Sequence, residues 1–325
     1  MLLAIGTPLP FVIVLAAAPA LPLGSLIGPD GTRSSVVLVL ACAVAVTSIP
    51  MITKIFVDLG ILHTRFASLL LGAALIEDAA LWGVVAVAIS LASAEASGPD
   101  VDVLPSVAMD IVANVAFIAL AMMVMPAILR ALRLARWNVV AARSPVSSMM
   151  IVLLAYASAA AALHVTPVFA AFLAGFGLVG GIRGSERTAV QPGVEPIARI
   201  AHAVFIPIYI ALIGVRLDFG RGFSFGVLAA VLFGSSLVAL LSGALAARGA
   251  GFRGLSLINL AVTTNARGGP GIVLASVVFD AGIISAAFFT SLIITAVITT
   301  HACGAWLRFV LRRGWPLLGG PDEHR

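Results

Sequence analysis

The chain has 325 residues, of which 61% are hydrophobic and 10% charged, and its formal net charge is +5. A water-soluble domain of ordinary composition carries about 25% charged residues, so this chain has too little polar surface to cover a globule in water. The composition excludes a soluble globular protein and predicts an all-α integral membrane protein.

Apolar segments, lettered A to J, follow one another along the chain, and each is close to the roughly 20 residues that a membrane-spanning helix needs. Their predicted bounds are A 1–22, B 35–57, C 66–94, D 105–128, E 146–163, F 165–182, G 198–215, H 223–247, I 254–280 and J 283–307. Very short turns are predicted only between E and F and between I and J. The sequence therefore predicts about ten transmembrane helices.

Basic residues alternate between the loops. Loops B–C, D–E, F–G and H–I and the tail hold most of the arginines, whereas the other loops carry only Arg33, Arg216 and Arg221. Because cytoplasmic loops are enriched in Lys and Arg, the C-terminal tail and Met1 are predicted to face the cytoplasm. We expect a multi-pass protein of the cytoplasmic (inner) membrane. This topology also accounts for the net positive charge, so no nucleic-acid partner is predicted.

Segment C carries two neighbouring carboxylates, Glu77 and Asp78, halfway through an apolar run. An acid at the centre of a membrane helix costs about 2.5–3.5 kcal/mol on insertion scales and usually marks an ion or proton pathway. The two side chains point about 100° apart around the helix, so one can face a cavity while the other faces a neighbouring helix. A carboxylate in such a space holds a proton or a cation but rarely both, and this competition is the basis of an antiporter. A structural pair of acids is the alternative interpretation.

Segments B and I each contain residues that interrupt a regular helix. Segment B contains TSIP, in which Pro50 removes a backbone donor and Thr47 and Ser48 supply hydroxyls. Segment I contains TTNARGGPG at 263–271, which also places Arg267 inside the apolar span. Irregular backbone at membrane depth is tolerated only where it lines a cavity or is packed in protein. A–B–C and H–I–J enter from opposite sides, and such inverted repeats with paired interrupted helices indicate a secondary transporter.

Two other patterns in the sequence resemble enzyme or cofactor signals. The stretch 175–180 matches GxGxxG, but no strand precedes it, so no dinucleotide cofactor is predicted and close helix packing is preferred. The histidines at 63, 164, 202, 301 and 324 lie near predicted helix ends or on the tail, and none is spaced with an acid as a metal-ligand set. No enzyme activity and no cofactor are therefore predicted.

Sequence stretches covering nearly the whole chain carry a family resemblance. In chain order they are TSIPMITKIFVDLGIL, GAALIEDAALW, HVTPVFAAFLAGFGL, FIPIYIALIGVRLDF and NARGGPGIVLASVVFDAGIIS. In this combination the chain resembles the monovalent cation:proton antiporter-2 family, the Kef-type sodium/potassium–proton exchangers. The resemblance implies two crossed, unwound helices beside a carboxylate helix, and a core domain that moves against a static dimerisation domain in a homodimer.

Carried over by position, the resemblance implies that Asp78 holds the proton and the transported metal ion, Na⁺ or K⁺, in turn, with Glu77 in the position before it. The residues that match the unwound segments are Thr47 and Ser48 in the first, and Asn265, Arg267 and Gly268 in the second. The implied function is exchange of a monovalent cation for protons by alternating access.

The resemblance also divides the chain. The expected parts are the two halves of the core, 1–94 and 217–313, a linker helix D in 95–144, scaffold and dimerisation helices E–G in 145–216, and a cytoplasmic tail, 314–325. The family has further helices before the position of Met1, a lysine in segment H of some relatives, and a cytoplasmic nucleotide-binding domain, none of which this sequence contains. The alternative expectation is an N-terminally truncated inactive fragment, or a subunit that needs a partner chain.

Overall fold

The computed structural model describes residues 6, 8–96, 112, 116–117, 120–121, 127–128, 131, 143–163, 170–171, 173–175, 187–220 and 223–318. Only the backbone is described for 49–50, 72–80, 94–96 and 187–192. Predicted segments D and F therefore lie largely outside the described residues. The described part is helical apart from short connections and one isolated β-bridge between Ile27 and Ile284, which confirms the all-α class.

The α-helices are numbered in chain order through the described residues. They are α1 Pro8–Ala17, α2 Arg33–Ala45, α3 Ile49–Asp58, α4 Arg65–Ala96, α5 Pro145–Ala162, α6 Arg187–Ile200, α7 Ile206–Arg216, α8 Phe225–Ala229, α9 Ser235–Gly249, α10 Leu255–Thr264, α11 Gly268–Asp280 and α12 Ala286–Arg312. A π-helical stretch, Ala201–Phe205, joins α6 to α7, and another, Ala230–Gly234, joins α8 to α9.

Within the described residues, four stretches are long and apolar enough to cross a membrane: Pro145–Ala162, Gly193–Arg216, Phe225–Gly249 and Ala286–Arg312. Shorter apolar helices, including Arg33–Ala45, accompany them. Arg33–Ala45 is one half of an interrupted segment, which is why length alone does not mark it as a span. The chain is a multi-pass membrane protein.

The chain divides into two compact units. Residues 1–101 and 217–325 form one, here called the core unit, and residues 102–216 form the other, here called the middle unit. The core unit contains α1–α4 and α8–α12. The middle unit contains α5–α7, and α5 packs there against α6.

Both predicted interruptions are present in the core unit. Helix α2 ends at Ala45, and α3 begins at Ile49 after an extended connection through Val46 and Ser48. Pro50 falls in the first turn of α3, where its missing N–H breaks no intrahelical hydrogen bond. Segment I also breaks, between the end of α10 and the beginning of α11, with Asn265 and Arg267 in the right-handed helical region. The sequence prediction of two broken helices is confirmed.

A hydrophobic cluster joins α3, the beginning of α4, α10 and the end of α12. Its largest fully buried members are Phe56, Phe66, Leu260 and Leu307. The segment that follows α12 folds back onto this cluster, because Leu317 is buried in it.

The returning segment is fixed by a buried amide. Asn259 on α10 donates from Nδ2 to the Leu317 carbonyl oxygen at 3.1 Å and accepts at Oδ1 from the Trp306 indole nitrogen at 2.9 Å. Asn259 is fully buried, and a buried amide is costly unless it is hydrogen-bonded. The beginning of the C-terminal tail is therefore part of the packed core unit.

A backbone clasp joins the loop before α2 to the loop between α11 and α12. Gly28 N donates to the Ile283 carbonyl at 2.9 Å, Asp30 N to the Gly282 carbonyl at 3.0 Å, and Ser285 N to the Leu26 carbonyl at 2.9 Å. The loops approach so closely that a Cβ at Gly28 would collide with the Gly282 carbonyl oxygen. The clasp ties the beginning of the first interrupted segment to the end of the second.

Replacing Gly28 by alanine is expected to lower the free energy of unfolding by about 1–3 kcal/mol, because the added methyl group overpacks the clasp. The measurement is thermal unfolding of the purified protein in detergent. Gly24→Ala is the matched control, since a Cβ at Gly24 meets no atom within 4 Å. Equal melting temperatures for the two variants would show that the clasp contributes nothing to stability.

Candidate functional site

The two interruptions cross each other. Thr47 donates from Oγ1 to the Thr264 carbonyl oxygen at 2.9 Å, and Ser48 N donates to the Ala266 carbonyl oxygen at 2.7 Å. A helix end leaves backbone groups without intrahelical partners, and here each broken segment satisfies groups of the other. The predicted crossing of two unwound segments is therefore held by direct hydrogen bonds.

Gly268 lets the crossing close tightly. Its φ is +35°, and a Cβ there would lie 2.5 Å from both Ser48 Oγ and Met51 Cγ. Its N–H donates to Thr300 Oγ1 on α12 at 3.0 Å. A residue without a side chain is required at this position both for its conformation and for the approach of α3.

Gly268→Ala is expected to lower the free energy of unfolding by about 2–4 kcal/mol, from the unfavourable backbone conformation and the clash with α3. Thermal unfolding in detergent measures the change. The neighbouring Gly269→Ala is the control, because a Cβ at Gly269 meets no atom within 4 Å. If Gly268→Ala unfolds at the same temperature as Gly269→Ala, the close crossing is not needed for stability.

Four helix ends meet at the crossing. Helices α2 and α10 end there, and α3 and α11 begin there. The beginnings carry partial positive charge and the ends partial negative charge, so the crossing offers both backbone donors and backbone carbonyls. Arg267 stands immediately before α11, where a positive helix end makes a further positive charge unfavourable.

Arg267 is 3% exposed, and its hydrogen-bond partners among the described side chains are neutral. Its Nη1 donates to Ser235 Oγ at 2.6 Å, and its Nη2 donates to Asn265 Oδ1 at 3.4 Å. Its Nε has no acceptor among the described residues. A buried charge is stable when it is paired and hydrogen-bonded. We therefore expect a negatively charged group near this guanidinium at the crossing.

Helix α4, whose sequence contains the two candidate anions Glu77 and Asp78, packs against α2. The Cys42 thiol of α2 lies 3.9 Å from the Leu81 carbonyl oxygen of α4. Further along, Leu70 of α4 lines a small cavity of about 30 Å³ together with Thr47 and Thr264 at the crossing. The helical backbone at position 78 lies between these two points of contact. The side chains of Glu77 and Asp78 themselves lie outside the described residues.

The structure brings together the four other residues that the sequence proposed for the site. Thr47, Ser48, Asn265 and Arg267 all lie at the crossing and are buried. The hydroxyl of Ser48 accepts a hydrogen bond from Met51 N as the N-cap of α3. Each hydroxyl has two lone pairs, so a capping or bridging hydroxyl keeps acceptor capacity for another ligand.

Sequence reasoning missed two polar residues that contact the crossing, Ser235 and Thr300. Ser235 is the first residue of the buried face of α9. Small residues recur along that face at helical spacing: Ser235, Ala239, Ser242, Gly243 and Ala246. That periodic stripe of small residues inside an apolar segment is the signal that could have identified Ser235, because small residues mark close helix packing in membranes.

Two interrupted helices that cross beside an apolar helix bearing adjacent acids define a secondary transporter of the membrane. Comparison with known protein families identifies which one. The chain belongs to the sodium/hydrogen exchanger family, since the model described as "Sodium/hydrogen exchanger, transmembrane" matches residues 2–313.

Curated relatives include three antiporters. The chain is 25% identical over 287 residues to the Na(+)/H(+)-K(+) antiporter GerN of Bacillus cereus, covering 88% of this chain and 70% of that protein. It is 26% identical over 267 residues to K(+)/H(+) antiporter 1 of Saccharomyces cerevisiae, covering 80% of this chain and 29% of that protein. It is 23% identical over 265 residues to the probable Na(+)/H(+) antiporter GerT of Bacillus cereus, covering 81% and 67%.

Proposed function

We propose that the protein exchanges a monovalent cation, Na⁺ or K⁺, for protons across the cytoplasmic membrane by alternating access. The observation that carries the proposal is the buried guanidinium of Arg267 at the crossing of the two broken helices. Helix α4, which bears Glu77 and Asp78, packs along α2 up to that crossing. The printed names of the relatives, which are antiporters for Na⁺, K⁺ and H⁺, support the same class of function.

In this proposal Asp78 is the exchange site. At low cytoplasmic pH it holds a proton and excludes the metal ion, and at higher pH its carboxylate is free to bind the ion. The carbonyl groups and hydroxyls of the crossing, including those of Thr47 and Asn265, supply the oxygen ligands that alkali cations need. The opposed helix ends balance charge as the occupant changes.

The wider organisation belongs to the same proposal. The loop charges and the positions of the broken helices predict inverted repeats in the core and a cytoplasmic C-terminus. The family resemblance implies a homodimer, formed through residues 145–216. Either occupant of Asp78 would then cross the membrane as the core moves against the scaffold. The positive charges on alternate loops support the orientation.

The first test of this function is Asp78→Asn. Cation-driven proton movement in everted membrane vesicles is expected to be abolished, because the amide can neither release a proton nor provide a carboxylate for the metal ion. Protein production and membrane insertion should persist in the variant. Full exchange by Asp78→Asn would refute the site, and a folded, inserted wild-type chain without any exchange would refute the function.

Glu77→Gln tests the division of labour between the two acids. Because neighbouring positions on an α-helix are offset by about 100°, we expect Glu77→Gln to retain partial exchange with an altered pH profile or altered stoichiometry. The same vesicles are assayed across a range of pH with Na⁺ and with K⁺. Complete loss of exchange would instead make Glu77 a joint ligand of the transported ion.

A further inference from the structure

We infer that Ser235 is a positioning residue for the cation site, acting through Arg267 on Asn265. The inference rests on the proposed exchange function and adds a residue that neither the family resemblance nor the sequence pattern assigned to the site. Ser235 is 5% exposed, lies on a different helix from the two broken segments, and makes the shortest described hydrogen bond to the Arg267 guanidinium.

The hydroxyl of Ser235 has a fixed polarity. Its hydrogen is donated to the Val231 carbonyl oxygen, one turn earlier. A hydroxyl has one donor and two acceptor lone pairs, so the lone pairs remain for Arg267, whose Nη1 donates to Ser235 Oγ at 2.6 Å. The Ser235 side chain is therefore an oriented acceptor for a buried cation.

A local irregularity of the helix leads directly into Ser235. The π-helical stretch Ala230–Gly234 ends immediately before it. A π-helical turn is wider than an α-helical turn, shifts the phase of the residues that follow, and often marks a functional site. After this turn Ser235 continues the buried face of α9 that includes Ala239 and Ser242. The irregular turn thus brings the serine into line with the face that packs against α10.

Arg267 couples Ser235 to the proposed ligand Asn265. The guanidinium donates to Ser235 Oγ with one terminal nitrogen and to Asn265 Oδ1 with the other. A side-chain amide has only one oxygen, and its nitrogen is a donor. That oxygen has two lone pairs, so it can accept from Arg267 and also contact a cation, but the positive guanidinium beside it repels the cation. The more closely Arg267 holds the Asn265 oxygen, the weaker cation binding becomes.

Ser235 weakens the interaction between Arg267 and Asn265, because it gives the guanidinium a second hydrogen-bond acceptor. Without its hydroxyl, Nη1 joins Nε as a buried donor without a described acceptor, and the remaining described acceptor of the guanidinium is Asn265 Oδ1. A buried charged donor is costly to leave unpaired, so the guanidinium is expected to engage Asn265 more strongly. The amide oxygen then becomes less available to the transported ion, and cation affinity falls.

The space beside Ser235 allows a conservative test. Its other side borders a cavity of about 490 Å³, lined mainly by apolar residues of α1, the segment 21–26, α2 and the stretch 226–238. A threonine at this position retains the hydroxyl, and its additional methyl group has room in the cavity. Ser235→Thr should therefore preserve the contact with Arg267.

The experiment compares three variants reconstituted into liposomes: Ser235→Ala, Ser235→Thr and Ser242→Ala. Ser242 is the matched control, since it is a fully buried serine on the same face of α9 whose hydroxyl has no hydrogen-bond partner among the described residues. Proton movement is measured against cation concentration, which yields the half-saturating concentration and the maximal rate separately. Thermal unfolding in detergent reports whether each variant is folded.

For Ser235→Ala we expect the half-saturating cation concentration to rise about tenfold, the scale set by one hydrogen bond to a charged group, with little change in the maximal rate. Ser235→Thr and Ser242→Ala should both retain the wild-type half-saturating cation concentration. This split between affinity and rate is not expected from general loosening of the helix.

Four outcomes would overturn the inference. If the half-saturating cation concentration of Ser235→Ala is unchanged, Ser235 does not position the cation site. Exchange by the wild type would leave the proposed function intact in that case. Equal effects of Ser235→Ala and Ser242→Ala would assign the change to helix packing. Failure of Ser235→Thr to restore cation affinity would show that the hydroxyl is not the group that matters. Absence of exchange in the folded wild-type protein overturns the function and this inference together.

Discussion

The organisation of the core unit depends on a positive charge buried at the crossing of two broken helices. Arg267 lies just before the beginning of α11, where the helix dipole is already positive, and the described partners of its guanidinium are neutral. Such a charge is costly inside a membrane protein and is stabilised by a nearby opposite charge. We propose that the acid-bearing helix α4 supplies it, which makes the same carboxylate available for exchange with ions.

The surrounding helices are shaped to bring backbone groups to that point. Gly268 permits α11 to approach Ser48, and Gly243 on α9 leaves space for Thr264, whose Oγ1 would lie 2.7 Å from a Cβ added there. The breaks between the half-helices leave free the carbonyl groups that a continuous helix would use in its own hydrogen bonds. The stability of the protein and its proposed ion binding therefore depend on the same close packing. Substitutions at the crossing are expected to change both the free energy of unfolding and the cation affinity.

Much of this arrangement was predictable from the sequence because it depends on local chemistry. Pro50 and the glycine-rich stretch around Arg267 disfavour a regular helix whatever surrounds them, and an acid such as Asp78 in an apolar run is costly enough to indicate function. The contacts of Ser235 with Arg267 and of Asn259 with Leu317 were not predictable in the same way. They join segments 32 and 58 residues apart, and no local pattern specifies such pairings.

The most direct test of the account is a double-mutant cycle between Arg267 and Asp78. Thermal unfolding would be measured in detergent at alkaline pH for Arg267→Gln, Asp78→Asn and the double variant. If the carboxylate balances the buried guanidinium, each single substitution leaves an uncompensated charge, and the double variant should be more stable than additivity predicts, by about 1 kcal/mol or more. Strictly additive losses would contradict the claim that these two groups face each other at the crossing.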